Sequence, residues 1–206
     1  HLLPSPLRSG GDGGRQVAVL MESAGEAITL GAGATAAGFR AVGFDTIGST
    51  NREALQRARA GDPGCLWLVA AVQTEGRGRR GRPWATPRGN LAASLLIIHR
   101  GPPALAATLG FVAGLALHDA LAPAADALLA ANPARRERLT LKWPNDVLVE
   151  TGDARGKLAG ILLEAEPIGP VTTAIAIGIG VNVSVAPTDL PYPAARVHDL
   201  GLDWTV

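Results

Sequence analysis

Leu139-Thr140-Leu141-Lys142, the turn Trp143-Pro144-Asn145-Asp146, Val147-Leu148-Val149, the turn Thr151-Gly152-Asp153 and the long run 157–166 decide how this chain folds. Short apolar runs bounded by turn residues read as strands rather than helices. Residues 171–183 read as the partner of the 157–166 strand. Long strands joined by short polar turns, placed after a helical stretch, imply an α+β fold. The expected layout is a mixed, largely antiparallel sheet packed on helices, not a doubly wound parallel one.

Working towards the N-terminus, Leu105, Leu109, Val112, Leu115 and Ala116 recur at helical spacing over 105–121. Residues 91–98 and 66–72 read as buried strands, and 39–44 as a short one. Thr50 with Glu53 matches a capping box; Ala54, Leu55 and Ala58 make an apolar stripe that Gly61 and Pro63 end. Residues 131–138, with Arg135, Arg136 and Arg138, read as a solvated connection, and 186–206 as proline-rich, then weakly helical. Residues 16–38 show only weak periodicity, and 1–15 read as a flexible leader without the pattern of a signal peptide. A start at His1 rather than methionine suggests a piece of a longer protein.

Composition narrows the class. With 47% hydrophobic and 18% charged residues the chain is globular, and a net charge of +1 argues against a general nucleic-acid coat. No stretch holds the roughly 20 uninterrupted apolar residues that cross a bilayer, so no membrane partner is expected. The single cysteine, Cys65, excludes an internal disulfide and a multi-cysteine metal site. It suits a reducing cytoplasm and reads as a small apolar core residue. Of 19 basic residues only Lys142 and Lys157 are lysine. In a chain that avoids lysine, these two are candidates for places where a compact ammonium serves and a broad guanidinium does not.

Four segments carry chemistry. Gly76-Arg77-Gly78-Arg79-Arg80-Gly81-Arg82, after Gln73 and before Pro83-Trp84, is cationic and backbone-permissive, able to fold over a polyanion. A solvated basic loop or an RNA-binding segment has the same composition. In Lys142-Trp143-Pro144-Asn145-Asp146 the lysine fits a point charge aimed at a phosphate or carboxylate, while Asn145 and Asp146 also read as plain turn residues. Gly156-Lys157-Leu158-Ala159-Gly160-Ile161-Leu162 and Ile177-Gly178-Ile179-Gly180-Val181-Asn182 place glycines inside apolar strands, the mark of a bulge, a helix packed close or a ligand. Gly178 and Gly180 share one face and could floor a bound ring. The Gly-Ile-Gly lacks the context of a dinucleotide fingerprint, no phosphate-binding P-loop occurs, and His1, His99, His118 and His198 form no metal spacing.

In this order, with Ser49-Thr50-Asn51 at the front, these segments resemble the biotin protein ligases over residues 39–206. The resemblance implies a catalytic domain of the class II aminoacyl-tRNA synthetase and biotin ligase type over 39–206, preceded by a leader and poorly defined segment over 1–38. The small C-terminal β-barrel that most members carry is not expected within these residues. It implies an enzyme that forms biotinyl-5′-AMP from biotin and ATP, with Mg2+, and passes biotin to a lysine of a carrier protein. That carrier would be the biotin carboxyl carrier domain of acetyl-CoA carboxylase or a related carboxylase. Catalytic roles fall to Arg77, Arg79 and Lys142. Ser49, Thr50, Asn51, Gln73, Gly76, Gly78, Lys157, Gly160, Gly178, Gly180 and Asn182 would complete the binding site, with Lys157 and Asn182 towards the nucleotide and Asp146 at most behind it. A cytoplasmic protein follows, a homodimer is compatible, and the weakly patterned N-terminal residues argue against DNA binding. The alternative is a lipoate ligase or octanoyl transferase of the same superfamily.

Overall fold

The computed structural model describes residues 20–21, 28–131, 134, 137–202, 204 and 206. The leader 1–15 and the connection's Arg135 and Arg136 lie outside the described residues. In chain order the elements are β1 (Leu20–Met21), α1 (Ala32–Ala36), β2 (Arg40–Ile47), α2 (Thr50–Arg59), β3 (Leu66–Gln73), β4 (Leu91–Arg100), α3 (Pro103–Ala131), β5 (Glu137–Lys142), β6 (Asp146–Thr151), β7 (Ala154–Gly169) and β8 (Thr172–Val181). Short elements, β1 and α1, thus occur within 16–38, where periodicity marked none.

The strands form one sheet in the order β1-β2-β3-β4-β8-β7-β6-β5. β1, β2 and β3 run parallel, which requires a crossover, and α2 supplies it between β2 and β3. From β3 onward every pairing is antiparallel, as the short polar turns implied. The mixed, mainly antiparallel α+β layout is therefore the one expected.

Alternation assigns the two faces. Ala174 and Ala176 of β8 meet Ala54, Leu55 and Ala58 of α2, together with Leu66, Leu68 and Leu96. Ile175 and Ile177 face the other way, onto Ala106 and Ala113 of α3 with Ile161 of β7. A third cluster packs Val147, Leu158 and Val181 against Val197, Leu200 and Leu202, so the proline-rich tail folds back and is buried. Leu68, Leu96, Leu158 and Ile175 are fully enclosed. Each such side chain contributes roughly 1.5–3 kcal/mol through burial.

Three expectations are corrected here. The N-cap of α2 is Ser49, whose Oγ accepts from the Arg52 N–H, and Thr50 is the first helical residue. Glu53 instead pairs with Arg57 one turn on, at 2.8 Å. Cys65 is exposed, with φ 51°, rather than part of the core. In α3 the helix is right but most of the expected face is wrong: Leu105, Val112, Leu115 and Ala116 are exposed, while Leu109 packs inward with Ala106, Ala113, Leu117 and Leu121. The stretch Ala104–Pro123 is long and apolar enough to span a bilayer by composition, with its inner face on the sheet.

Candidate active site

Register brings the motifs to one end of the sheet. Ile47 pairs with Gln73, Leu91 with Val181, Ala159 with Val181, and Asp146 with Gly160. Ser49, Gln73, the arginine loop, Gly178, Gly180, Gly160 and Asp146 therefore surround one cavity of about 530 Å³. It is lined by every residue assigned from the sequence except Gly76 and Asn182.

Those two exceptions have structural reasons. A Cβ on Gly76 would stand 2.4 Å from the Trp84 carbonyl, so glycine there lets the two arms of the loop cross. The Asn182 amide donates to the carbonyls of Lys157 and Ala195, at 3.2 and 3.1 Å. It ties β8 to the tail and lies outside the cavity lining, whereas the sequence reading set it towards the nucleotide.

A polar chain lies at the N-terminus of α2. Gln73 Oε1 accepts from the Thr50 N–H and lies 3.0 Å from its hydroxyl, whose proton goes to the nearer Ser94 Oγ, and Gln73 Nε2 donates to Thr86. Ser94, fully buried on β4, lies 2.7 Å from Thr50 Oγ1 and 2.6 Å from Asn51 Oδ1. An amide oxygen only accepts, so the serine proton goes to Asn51, whose Nδ2 donates to Leu162 O and Glu164. Sequence reasoning missed Ser94 and Glu164. Their signal was a hydroxyl within the apolar run 91–98 and a carboxylate directly after Ile161-Leu162-Leu163.

The arginine loop closes on itself. Gly78 N donates to Arg82 O at 2.7 Å and Trp84 N to Gly76 O at 2.9 Å, while Arg80 and Gly81 turn the chain at φ 58° and 70°. Arg79 reaches Asn145 Oδ1 at 3.3 Å and Arg77 reaches Glu164 at 3.0 Å. Asn145 is fixed in turn, since its Nδ2 donates to Ile161 O. It is more than a turn residue. The loop thus spans from β7 to the β5–β6 turn across the cavity.

The two lysines occupy different places. Lys142 lies on the exposed rim beside Trp143, which is 77% exposed. Lys157 is inside, its Nζ 2.8 Å from Asp146 Oδ1 and over the rings of Trp84 and Tyr192 at 5.4 and 5.8 Å. Trp84 lies on the glycine floor: a Cβ on Gly180 would stand 2.4 Å from its Nε1, and one on Gly160 3.3 Å from its ring. Gly178 instead makes room for Asn51, 2.5 Å from where a Cβ would be. The floor therefore serves both a helix and an indole, and it lines the cavity as well. Tyr192, the only tyrosine of the chain, was missed because it sits in the proline-rich tail.

Seven cationic side chains and one carboxylate, Asp146, line the cavity of a chain whose net charge is +1. Such a cleft concentrates a field for anions that the whole molecule lacks. The resolved pKa shifts lie outside it, as where Arg52 holds the Glu75 carboxyl below its ordinary range by a hydrogen bond.

Fold and cleft together define a mixed-sheet domain with a strongly cationic cleft at one end. Residues 44–182 match the model of the biotin/lipoate A/B protein ligase family, and the chain belongs to that family. It is 50% identical over 139 residues to a biotin–[acetyl-CoA-carboxylase] ligase of Paracoccus denitrificans, covering 68% of this chain and 52% of that protein. A solved biotin protein ligase of Leishmania major in complex with biotinyl-5-AMP superposes with a TM-score of 0.61 at 29% identity, covering 78% of this chain and 66% of that one. The ligase of Aquifex aeolicus in complex with biotin and ATP gives 0.53 at 26% identity, covering 80% and 62%. The chain spans about half the length of the curated relatives it matches.

Proposed function

We propose that this chain carries the catalytic domain of an ATP-dependent biotin protein ligase, which forms biotinyl-5′-AMP and transfers biotin to a lysine of a carboxyl carrier protein. The observation that carries the reading is the arginine hairpin closed over a glycine-floored cleft that also holds Lys157. In the first step biotin's carboxylate attacks the α-phosphate of ATP and pyrophosphate leaves, so one anion must approach another. Arg77, Arg79 and Lys142 face that charge, and cations set in place before reaction stabilise it where it develops. Lys157 joins them from the inner side, where Asp146 and two rings orient its ammonium. In the second step the carrier's amine attacks the acyl carbon and AMP departs. A loop covering the cleft keeps water from the mixed anhydride meanwhile.

Ser49 and Thr50 at the α2 N-terminus line the ring end of the cleft, where Asn51 and Trp84 rest on Gly178, Gly180 and Gly160. Gln73, its own polar atoms engaged, holds Thr50 in place. A dedicated magnesium cage does not fit, because the lining carboxylate, Asp146, is committed to Lys157. Mg2+ is proposed to arrive with ATP's phosphates. A cytoplasmic location, where biotin, ATP and a carrier meet, belongs to the same proposal.

Calorimetry with biotin, then with biotin plus ATP, tests it, with lipoate as the control. Biotin should bind and ATP should tighten retention of the product. Binding of lipoate in preference to biotin would overturn the reading.

A further inference from the structure

We propose that Glu164 is a positioning residue for the first step: its carboxylate holds Arg77 over the cleft and couples the arginine hairpin to the α2 polar chain. This rests on the ligase reading. Glu164 stands on β7 directly after the apolar run Ile161-Leu162-Leu163, and its two oxygens divide between two partners. Oε1 accepts from Arg77 Nη2 at 3.0 Å, and Oε2 from Asn51 Nδ2 at 2.8 Å. Asn51 is buried and continues through Ser94 to Thr50 and Gln73. One carboxylate therefore joins a loop arginine on one side to the residues at the ring end of the cavity on the other.

The chemistry asks for such a group. An arginine among seven cationic side chains is repelled by its neighbours, and the glycines on either side of it offer no side chain to hold it. A single hydrogen bond from Nη2 anchors it and leaves the other guanidinium donors for phosphate oxygens. Glu164 is outside the cavity lining, so it acts through Arg77 and does not touch substrate.

Glu164→Gln separates the two contacts. A glutamine has one acceptor oxygen in place of two: turned to Asn51, it presents its amide nitrogen, a donor, to Arg77 and releases the guanidinium. Biotin affinity by calorimetry should stay within about twofold, because the α2 side is intact. Biotin- and ATP-dependent pyrophosphate exchange should fall about tenfold, through KM for ATP or kcat. Arg77→Ala should fall comparably, and the double variant no further than Arg77→Ala alone, since residues that act as one unit are non-additive. Glu164→Asp, with the charge kept on a shorter arm, should recover part of the loss. Additive losses, exchange at the wild-type rate, or faster exchange (an inhibitory latch) would each overturn the inference. If the glutamine variant does not fold, the same cycle with Glu164→Asp and Arg77→Ala decides by the same additivity. Wild-type protein without biotin-dependent exchange would overturn the ligase reading itself, a different result from a silent Glu164 in an active enzyme.

Discussion

Gly178 and Gly180 stand on the same face of β8, yet a side chain at each would meet a different obstacle. At Gly178 the new methyl would press on Asn51, which is buried on the inner face of α2 and hydrogen-bonded, so the strain falls on the fold. Gly178→Ala should cost about 1–3 kcal/mol in urea unfolding, the range of overpacked cores. At Gly180 the methyl would press on the Trp84 indole, which belongs to a loop and can swing away. Gly180→Ala should leave the melting temperature near wild type and weaken biotin binding about tenfold or more, a loss of roughly 1.4 kcal/mol. The lysines invite a similar contrast. Lys157 is boxed by Asp146, Trp84 and Tyr192, whereas Lys142 stands on an open rim. Arginine at either position should slow pyrophosphate exchange, and Lys157→Arg more severely, because a planar fork does not fit the box. Equal rates for the two variants would remove the distinction. Both lysines were legible from their rarity in an arginine-rich chain. Which of them lies inside was not, since that depends on a cross-strand partner eleven residues away.

The N-terminus of α2 shows how an element takes its place from more than its own sequence. Thr50 followed by Glu53 has the spacing of a capping box, but the Thr50 hydroxyl is engaged by Gln73 and Ser94, and the cap moves to Ser49. Ser94→Ala would leave Asn51 Oδ1 short of its donor inside the protein. It should destabilise by about 1–3 kcal/mol, the cost of an unsatisfied buried polar atom, in chemical denaturation. At the other end of α2, Arg59 pairs with Glu166 of β7 and its hydrogen bond holds that carboxyl below its ordinary pKa. A carboxyl depressed in the folded state stabilises above its unfolded pKa, and the contribution is lost as pH falls through the depressed value. Glu166→Gln should therefore melt lower than wild type near neutrality, the difference closing in acid; a gap that widens on acidification would refute the pair's role. Helix α3 carried a weaker signal. It is apolar on nearly all sides, so periodicity could find the helix but could not choose its face. The choice follows from Ile161, Ile175 and Ile177, whose surface accepts the small side chains Ala106 and Ala113.

For the molecule as a whole, the cleft's charge should govern its response to ligands. Seven cations around one carboxylate hold a field that added salt screens, so affinity for ATP should fall as ionic strength rises while biotin's changes less. A calorimetric salt series checks this, and equal slopes for the two ligands would count against it. What the sequence determined by itself was local in origin: strands from short apolar runs, the sheet's antiparallel half from its polar turns, and the cationic loop from its arginines and glycines. These follow from rules that act within a few residues. Only the tertiary structure decided what depends on register across the sheet. It joined Gln73, Gly160, Gly178 and Asp146 at one end, turned Asn182 from the cleft to the tail, laid Trp84 on the glycine floor and tied Arg77 to Glu164. Those partners lie far apart along the chain, and a one-residue change of pairing would send the strand residues among them to the opposite face.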